Sequence, residues 1–97
     1  MKDRDTIFST LRSASPELKK SGVRSLAVFG SMARGDYSEN SDLDILIDFT
    51  RPVGLFEFIR IKHFLEQLTT CHVDLVTSDA LRPEMKDQIL LEAVHVH

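Results

Sequence analysis

The chain has 97 residues, 42% of them apolar and 28% charged, with a net charge of −3. That size excludes a multidomain enzyme and predicts one domain over 1–97, able to bury about 60 to 70% of its unfolded surface. No apolar run approaches the roughly 18 residues of a membrane span, and the charged start MKDRDTIFSTLRS lacks the uncharged core of a secretory signal, so a cytoplasmic protein without a membrane partner is expected.

The acidic balance also speaks against nucleic-acid binding by phosphate neutralisation, which needs clustered Lys and Arg. Only Lys19, Lys20 and Arg24 approach a cluster, and at a short helix end they complement the dipole. The single cysteine, Cys71, has no internal disulfide partner.

Ile7, Phe8, Leu11 and Ala14 recur at three- and four-residue spacing, which predicts a half-buried helix over 3–14. Ser15-Pro16-Glu17 has the chemistry of a helix start, with serine as cap and proline at the first position, and Gly22 offers a left-handed stop. Residues 24–29, RSLAVF, form an apolar run of strand length. Gly30-Ser31 ends it, Met32-Ala33-Arg34 suits a short helical turn, and Gly35 lets the chain leave. After a polar stretch the period switches to two over 42–48, DLDILID, predicting a second strand.

Leu55, Phe58, Ile59, Lys62, Leu65 and Leu68 predict one stripe on a long helix over 55–69. A third strand is expected over 72–76. Thr77-Ser78-Asp79 supplies cap chemistry, and Pro83 opens a closing helix to about residue 95 with Met85, Ile89, Ala93 and Val96 inward. The order predicts an α/β or α+β fold: a small mixed β-sheet of at least three strands packed against helices.

Chemistry concentrates around Gly30-Ser31 and Asp42-Leu43-Asp44. Residues two apart on a strand share a face, so Asp42 and Asp44 point together with Cα atoms roughly 6 to 7 Å apart. Their repulsion is relieved by a hard cation such as Mg²⁺, which prefers oxygen ligands. A strand ending in glycine before a helical turn presents backbone N–H groups and the Ser31 hydroxyl to a phosphate. Arg34, one turn on, can add a charge-assisted contact. Asp74, flanked by apolar residues in the third strand, is costly there unless paired or metal-bound. Together these groups describe phosphoryl or nucleotidyl transfer, with Asp42 and Asp44 on metal and Asp74 orienting or deprotonating an acceptor hydroxyl.

Other residues carry less. His63, His72, His95 and His97 lack zinc spacing, and 95–97 reads as a fraying tail. Asp48 shares parity with Asp44 but lies roughly 20 Å along the strand from Asp42, so it terminates the strand. Phe56, Phe58 and Phe64 read as core or interface on an amphipathic helix.

Gly30-Ser31, ten residues, then Asp42-x-Asp44 and the later Asp74 resemble the nucleotidyltransferase superfamily of DNA polymerase beta. Most of the chain, from Gly22-Val23-Arg24 through Pro52-Val53-Gly54-Leu55 and Val73-Asp74-Leu75-Val76 to Glu92-Ala93-Val94, is similar to the minimal nucleotidyltransferase (MNT) antitoxins paired with HEPN toxins. The resemblance implies a Mg²⁺-dependent enzyme, with two ions, that uses ATP to adenylylate a hydroxyl, usually a tyrosine, on a cognate HEPN ribonuclease and silences it. It places Gly30 and Ser31 on the triphosphate, Asp42 and Asp44 on the metals, and Asp74 on the acceptor side, with Arg34 where the family often has arginine. Such a short chain is expected to draw its acceptor from a protein partner. The alternatives are a non-catalytic antitoxin that neutralises by binding and a transferase acting on a small molecule.

Overall fold

Asp3 opens the first helix: its carboxylate accepts the Thr6 N–H at 2.7 Å, leaving α1 (Arg4–Ser13) to bury Ile7, Phe8 and Leu11. A computed structural model describes residues 3–38 and 40–97 of the chain. The next helix, α2 (Ser15–Lys20), starts with Ala14 in the cap position and no side-chain cap bond. Ser15 instead meets Nδ1 of His97 at 2.9 Å, so its hydroxyl is spent on the far end of the chain. Gly22, at φ +82°, turns the chain into β1 (Val23–Phe29).

The remaining elements are α3 (Ser31–Arg34), β2 (Leu43–Phe49), α4 (Leu55–Thr69), β3 (Val73–Thr77), a 3₁₀ turn at Ser78–Ala80, α5 (Pro83–Glu92) and β4 (Val94–His95). The four strands form one sheet in the order β3-β2-β1-β4. β1 runs antiparallel to both β2 and β4, whereas β2 and β3 are parallel, so the sheet is mixed as expected. The parallel pair needs a crossover, which α4 supplies.

The sheet faces are unequal. Leu26 and Val28 of β1, Leu43, Ile45 and Ile47 of β2, and Val73 and Leu75 of β3 bury into the main core with α1, α2 and α4. On the other face Ala27 and Leu46 meet Ile89 of α5 in a much smaller cluster. Asp44, Asp48 and Asp74 share the parity of Leu46 and stand on this thinly covered face.

Several sequence expectations fail here, in whole or in part. Of the expected stripe on α4, Leu65 is buried and Phe58 and Leu68 pack against the core, but Leu55 and Ile59 are exposed at 70% and 37%, and the line of buried residues is Ile61, Leu65 and Thr69. The helix carries apolar residues on overlapping stripes, and period alone does not choose which one meets the sheet. Phe58 and Phe64 pack against the core, but Phe56 is exposed. Nor does the closing helix reach residue 95: it ends at Glu92, and Val94 and His95 pair with Val28 and Ala27. Residues 95–97 are therefore no fraying tail. Val96 is buried, its N–H donates to Leu26 O at 2.9 Å, and His97 Nε2 lies 3.0 Å from Val23 O. An unpaired β1 edge beside alternating Val94 and Val96 favours a strand over another helical turn.

Among the described residues no helix is long and apolar enough to cross a membrane.

Candidate active site

β1 ends at Gly30 in a conformation (φ +75°, ψ −153°) that residues with a Cβ scarcely adopt. A Cβ there would also collide with the Asp44 carboxylate on the adjacent strand. Glycine therefore lets the backbone at the start of α3 lie directly against an acidic side chain. Ser31 begins α3, Met32 anchors it in the core, and Gly35, at φ +87°, releases the chain after Arg34. The turn is tied down from α1: Arg4 donates to the Met32 and Ala33 carbonyls at 2.9 and 3.1 Å. Those carbonyls lie near the end of α3, where helical partners run out.

Arg34 is held by two carboxylates. Its Nε donates to Asp36 at 3.3 Å and its Nη1 to Glu92 at 3.4 Å. The Asp36 hydrogen bond and charge lead in holding the guanidinium above its ordinary value, so it stays charged. Glu92 also accepts the Gly30 N–H, at 3.1 Å, through the same Oε1.

Asp44 sits opposite Phe29 of β1 and in register with Asp74 of β3, so the two carboxylates share a face on neighbouring strands. Burial first, then the charges of Asp74 and Asp42, push the Asp44 carboxyl above the ordinary carboxylate range, with Arg34 opposing and Glu92 adding to the push. Asp42 is not on the strand, since β2 starts at Leu43; it is exposed in the approach and acts on Asp44 through space. Asp74 does not carry the burial cost its apolar neighbours suggested, because β3 is an edge strand and the side chain is exposed. Among the described residues no three His, Cys, Asp or Glu side chains are gathered closely enough to hold a metal. The carboxylates crowd one another electrostatically without forming a closed cage.

A cavity of about 340 Å³ opens here, lined by Gly30, Ser31, Arg34, Asp44, Glu92 and Met85. A larger one, about 610 Å³, lies at the other end of β2 among Asp48, Arg51, Leu55 and Phe58. Size does not decide between them: the smaller one adjoins the crowded carboxylates. The structure thus brings Gly30, Ser31, Arg34 and Asp44 to one cavity, with Asp74 beside Asp44 and Asp42 at its approach. Sequence reasoning missed Arg4, Asp36 and Glu92. Asp36 was findable from its two-residue spacing to Arg34, whereas Arg4 and Glu92 act across long chain separations that no local pattern announces.

Residues 10–96 match the sequence profile of the nucleotidyltransferase domain. The chain belongs to the nucleotidyltransferase domain family. Within that family it is 40% identical over 93 residues to the protein adenylyltransferase MntA of Thermococcus cleftensis, covering 95% of this chain and 94% of the relative. It is 42% identical over 81 residues to a Methanocaldococcus jannaschii protein to which protein adenylyltransferase activity is ascribed, covering 84% and 87%. A solved structure ascribed to a minimal nucleotidyltransferase superposes with a TM-score of 0.85 at 34% identity, over 96% of this chain and 95% of that one. The fold is also similar to that of a chain in a solved structure of the tri-AMPylated Shewanella oneidensis HEPN toxin in complex with MNT antitoxin, at TM-score 0.65 and 14% identity over 93% of this chain and 71% of that one.

Proposed function

We propose that this nucleotidyltransferase is an antitoxin that transfers AMP from ATP onto a hydroxyl, a tyrosine by preference, of a cognate HEPN ribonuclease and so inactivates it. The observation that carries the reading is the placement of Asp44: pressed against the Gly30 backbone, beside Asp74, and short of compensating charge. MntA, named as a protein adenylyltransferase, supports the group transferred, and the AMPylated HEPN toxin bound to an MNT antitoxin supports the acceptor class.

Gly30, Ser31 and Arg34 receive the triphosphate: the Ser31 backbone N–H and hydroxyl and the Arg34 guanidinium donate, while Gly30, whose own N–H is taken by Glu92, leaves the backbone open to close approach. Asp42 and Asp44 would hold Mg²⁺, with Asp74 beside Asp44 on the neighbouring strand; carboxylate oxygens suit a hard divalent ion, and a bound cation would offset the charges of Asp74 and Asp42 that add to burial in raising Asp44. When bound, the metal supplies charge stabilisation for the phosphates. Asp74, exposed at the edge, orients the acceptor hydroxyl and takes its proton. The hydroxyl oxygen forms a bond to the α-phosphorus while the bond to pyrophosphate breaks, giving an AMP ester and pyrophosphate. The acceptor comes from a protein, the setting is cytoplasmic, and neither nucleic acid nor membrane takes part.

The test incubates the chain and an Asp42→Ala/Asp44→Ala variant with the cognate HEPN protein, Mg²⁺ and ATP labelled at the α or the γ phosphate. α-Label on the toxin, absent with the variant, is expected. γ-Label makes the enzyme a kinase. A doubly substituted variant that adds no label yet still neutralises the toxin makes it a binding antitoxin, and label transfer to a small molecule without the toxin moves the acceptor class.

A further inference from the structure

Glu92 stands where α5 ends and the chain turns into β4, and its carboxylate reaches back towards the start of α3. One oxygen, Oε1, accepts the Gly30 N–H at 3.1 Å and meets Arg34 Nη1 at 3.4 Å. The Glu92 side chain is 21% exposed, against 50% for Arg34, so the more buried partner restrains the more exposed one. Asp36 takes Arg34 Nε at 3.3 Å from the other side. A guanidinium is a rigid plane, so holding Nε and Nη1 fixes where Nη2 points. Nη2 itself makes no protein hydrogen bond among the described residues, and Arg34 lines the same cavity as Ser31 and Asp44.

The two groups that Glu92 joins flank Ser31 on either side in the chain. Gly30 has the freedom of glycine at a positive φ and would sample other conformations if unpinned. Strand order separates the roles of the two neighbouring acids. Asp44 approaches Gly30 from the β2 side, whereas Glu92 approaches from the β4 side, and both border the cavity.

Resting on the reading above, we propose that Glu92 is a positioning residue for the nucleotide: it fixes the Gly30 backbone and the Arg34 fork in the arrangement that receives the triphosphate, without touching the nucleotide itself. A carboxylate near phosphate is electrostatically unfavourable. Preorganisation offsets that cost, because misplacing a charged donor by about 1 Å removes much of its effect.

The experiment compares wild type, Glu92→Ala and Glu92→Gln for binding of a non-hydrolysable ATP analogue and of AMP with Mg²⁺, for KM and kcat of transfer, and for thermal unfolding without nucleotide. Glu92→Ala is expected to weaken the triphosphate analogue and raise KM for ATP by about tenfold with kcat within about twofold. AMP, which lacks the β and γ phosphates, is expected to bind as before. Glu92→Gln keeps an acceptor for the Gly30 N–H, preserves side-chain shape and is expected to recover part of the loss; it carries the test alone if the alanine variant does not fold. Unchanged analogue binding in the variants overturns the proposal, and tighter binding makes Glu92 a competitor for the phosphate position. Equal losses of AMP and analogue together with a lowered unfolding midpoint make it merely structural. These outcomes concern Glu92 alone, because wild type serves as reference: a wild type that binds no triphosphate overturns the transferase reading and this proposal with it.

Discussion

Asp44 and Asp48 stand on one face of the same strand, yet their surroundings are opposite. Asp48 accepts the Ser25 hydroxyl at 3.2 Å and the Ser78 hydroxyl in a short contact, so its lone pairs have donors from β1 on one side and from the 3₁₀ turn that follows β3 on the other. Asp44 has no hydrogen-bond donor among the described residues; its neighbours are Asp74, Asp42 and Glu92, with Arg34 alone opposing them. A carboxylate supplied with donors is complete within the fold. One surrounded by carboxylates is complete only with a proton or a cation. The same residue type on the same strand is thus satisfied within the fold at one end and left short of donors at the other.

That contrast breaks most visibly under substitution of the two acids. Asp44→Asn is expected to lower α-label transfer by about three orders of magnitude or more, the scale of losing a main electrostatic contributor at a reacting phosphate. Its metal-free unfolding midpoint should hold or rise, because the replacement removes like-charge repulsion. Equal transfer by Asp44→Asn and wild type would erase the distinction between the two ends. Gly30→Ala comes next: backbone strain of about 1–3 kcal/mol adds to the collision with Asp44, and urea titration should show the loss alongside a large fall in transfer. Asp48→Ala should do the reverse of Asp44→Asn, costing about 1–2 kcal/mol in urea as two serine hydroxyls lose their acceptor, with transfer retained.

The smallest effect is in pH. The Asp44 carboxyl is raised above its ordinary value of 3.8, so the folded state binds its proton more tightly than the unfolded chain does. Metal-free stability therefore falls as pH rises from that value through the raised one, and the penalty is fully present above it. Adding Mg²⁺ at neutral pH should raise the unfolding midpoint of wild type and leave Asp44→Asn almost unmoved.

How far the sequence discloses this depends on how local each signal is. The bounds of α4 follow from its period, and β1, β2 and β3 each lie within one residue of their expected spans. Those elements announce themselves through their own residues. The inward face of α4 does so only in part: Phe58, Leu65 and Leu68 pack inward as expected, whereas the sheet it packs on selects Ile61 over Leu55 and Ile59. β4 is two residues long, too short for any period, and exists because β1 has a free edge. In the site, Gly30, Ser31 and Asp44 come together as spacing implies, since β1 and β2 are adjacent. Asp74 arrives beside Asp44 for a different reason than burial cost: parallel register places it there, on an exposed edge. Glu92 has no local signature, because its partners lie 58 and 62 residues away.

That separation sets an order of assembly. The Gly30 turn and Arg34 leave the ribosome early, and β2 can pair with β1 as soon as it follows. The Glu92 contact and the β4 pairing wait for residues 92–95, and contacts of such long sequence separation close late in folding. The turn at Gly30 is thus held by a contact that only residue 92 supplies. A chain truncated before residue 92 would carry Asp42, Asp44 and Asp74 and still lack the carboxylate that pins the Gly30 N–H, so the turn's own residues do not suffice to hold its shape.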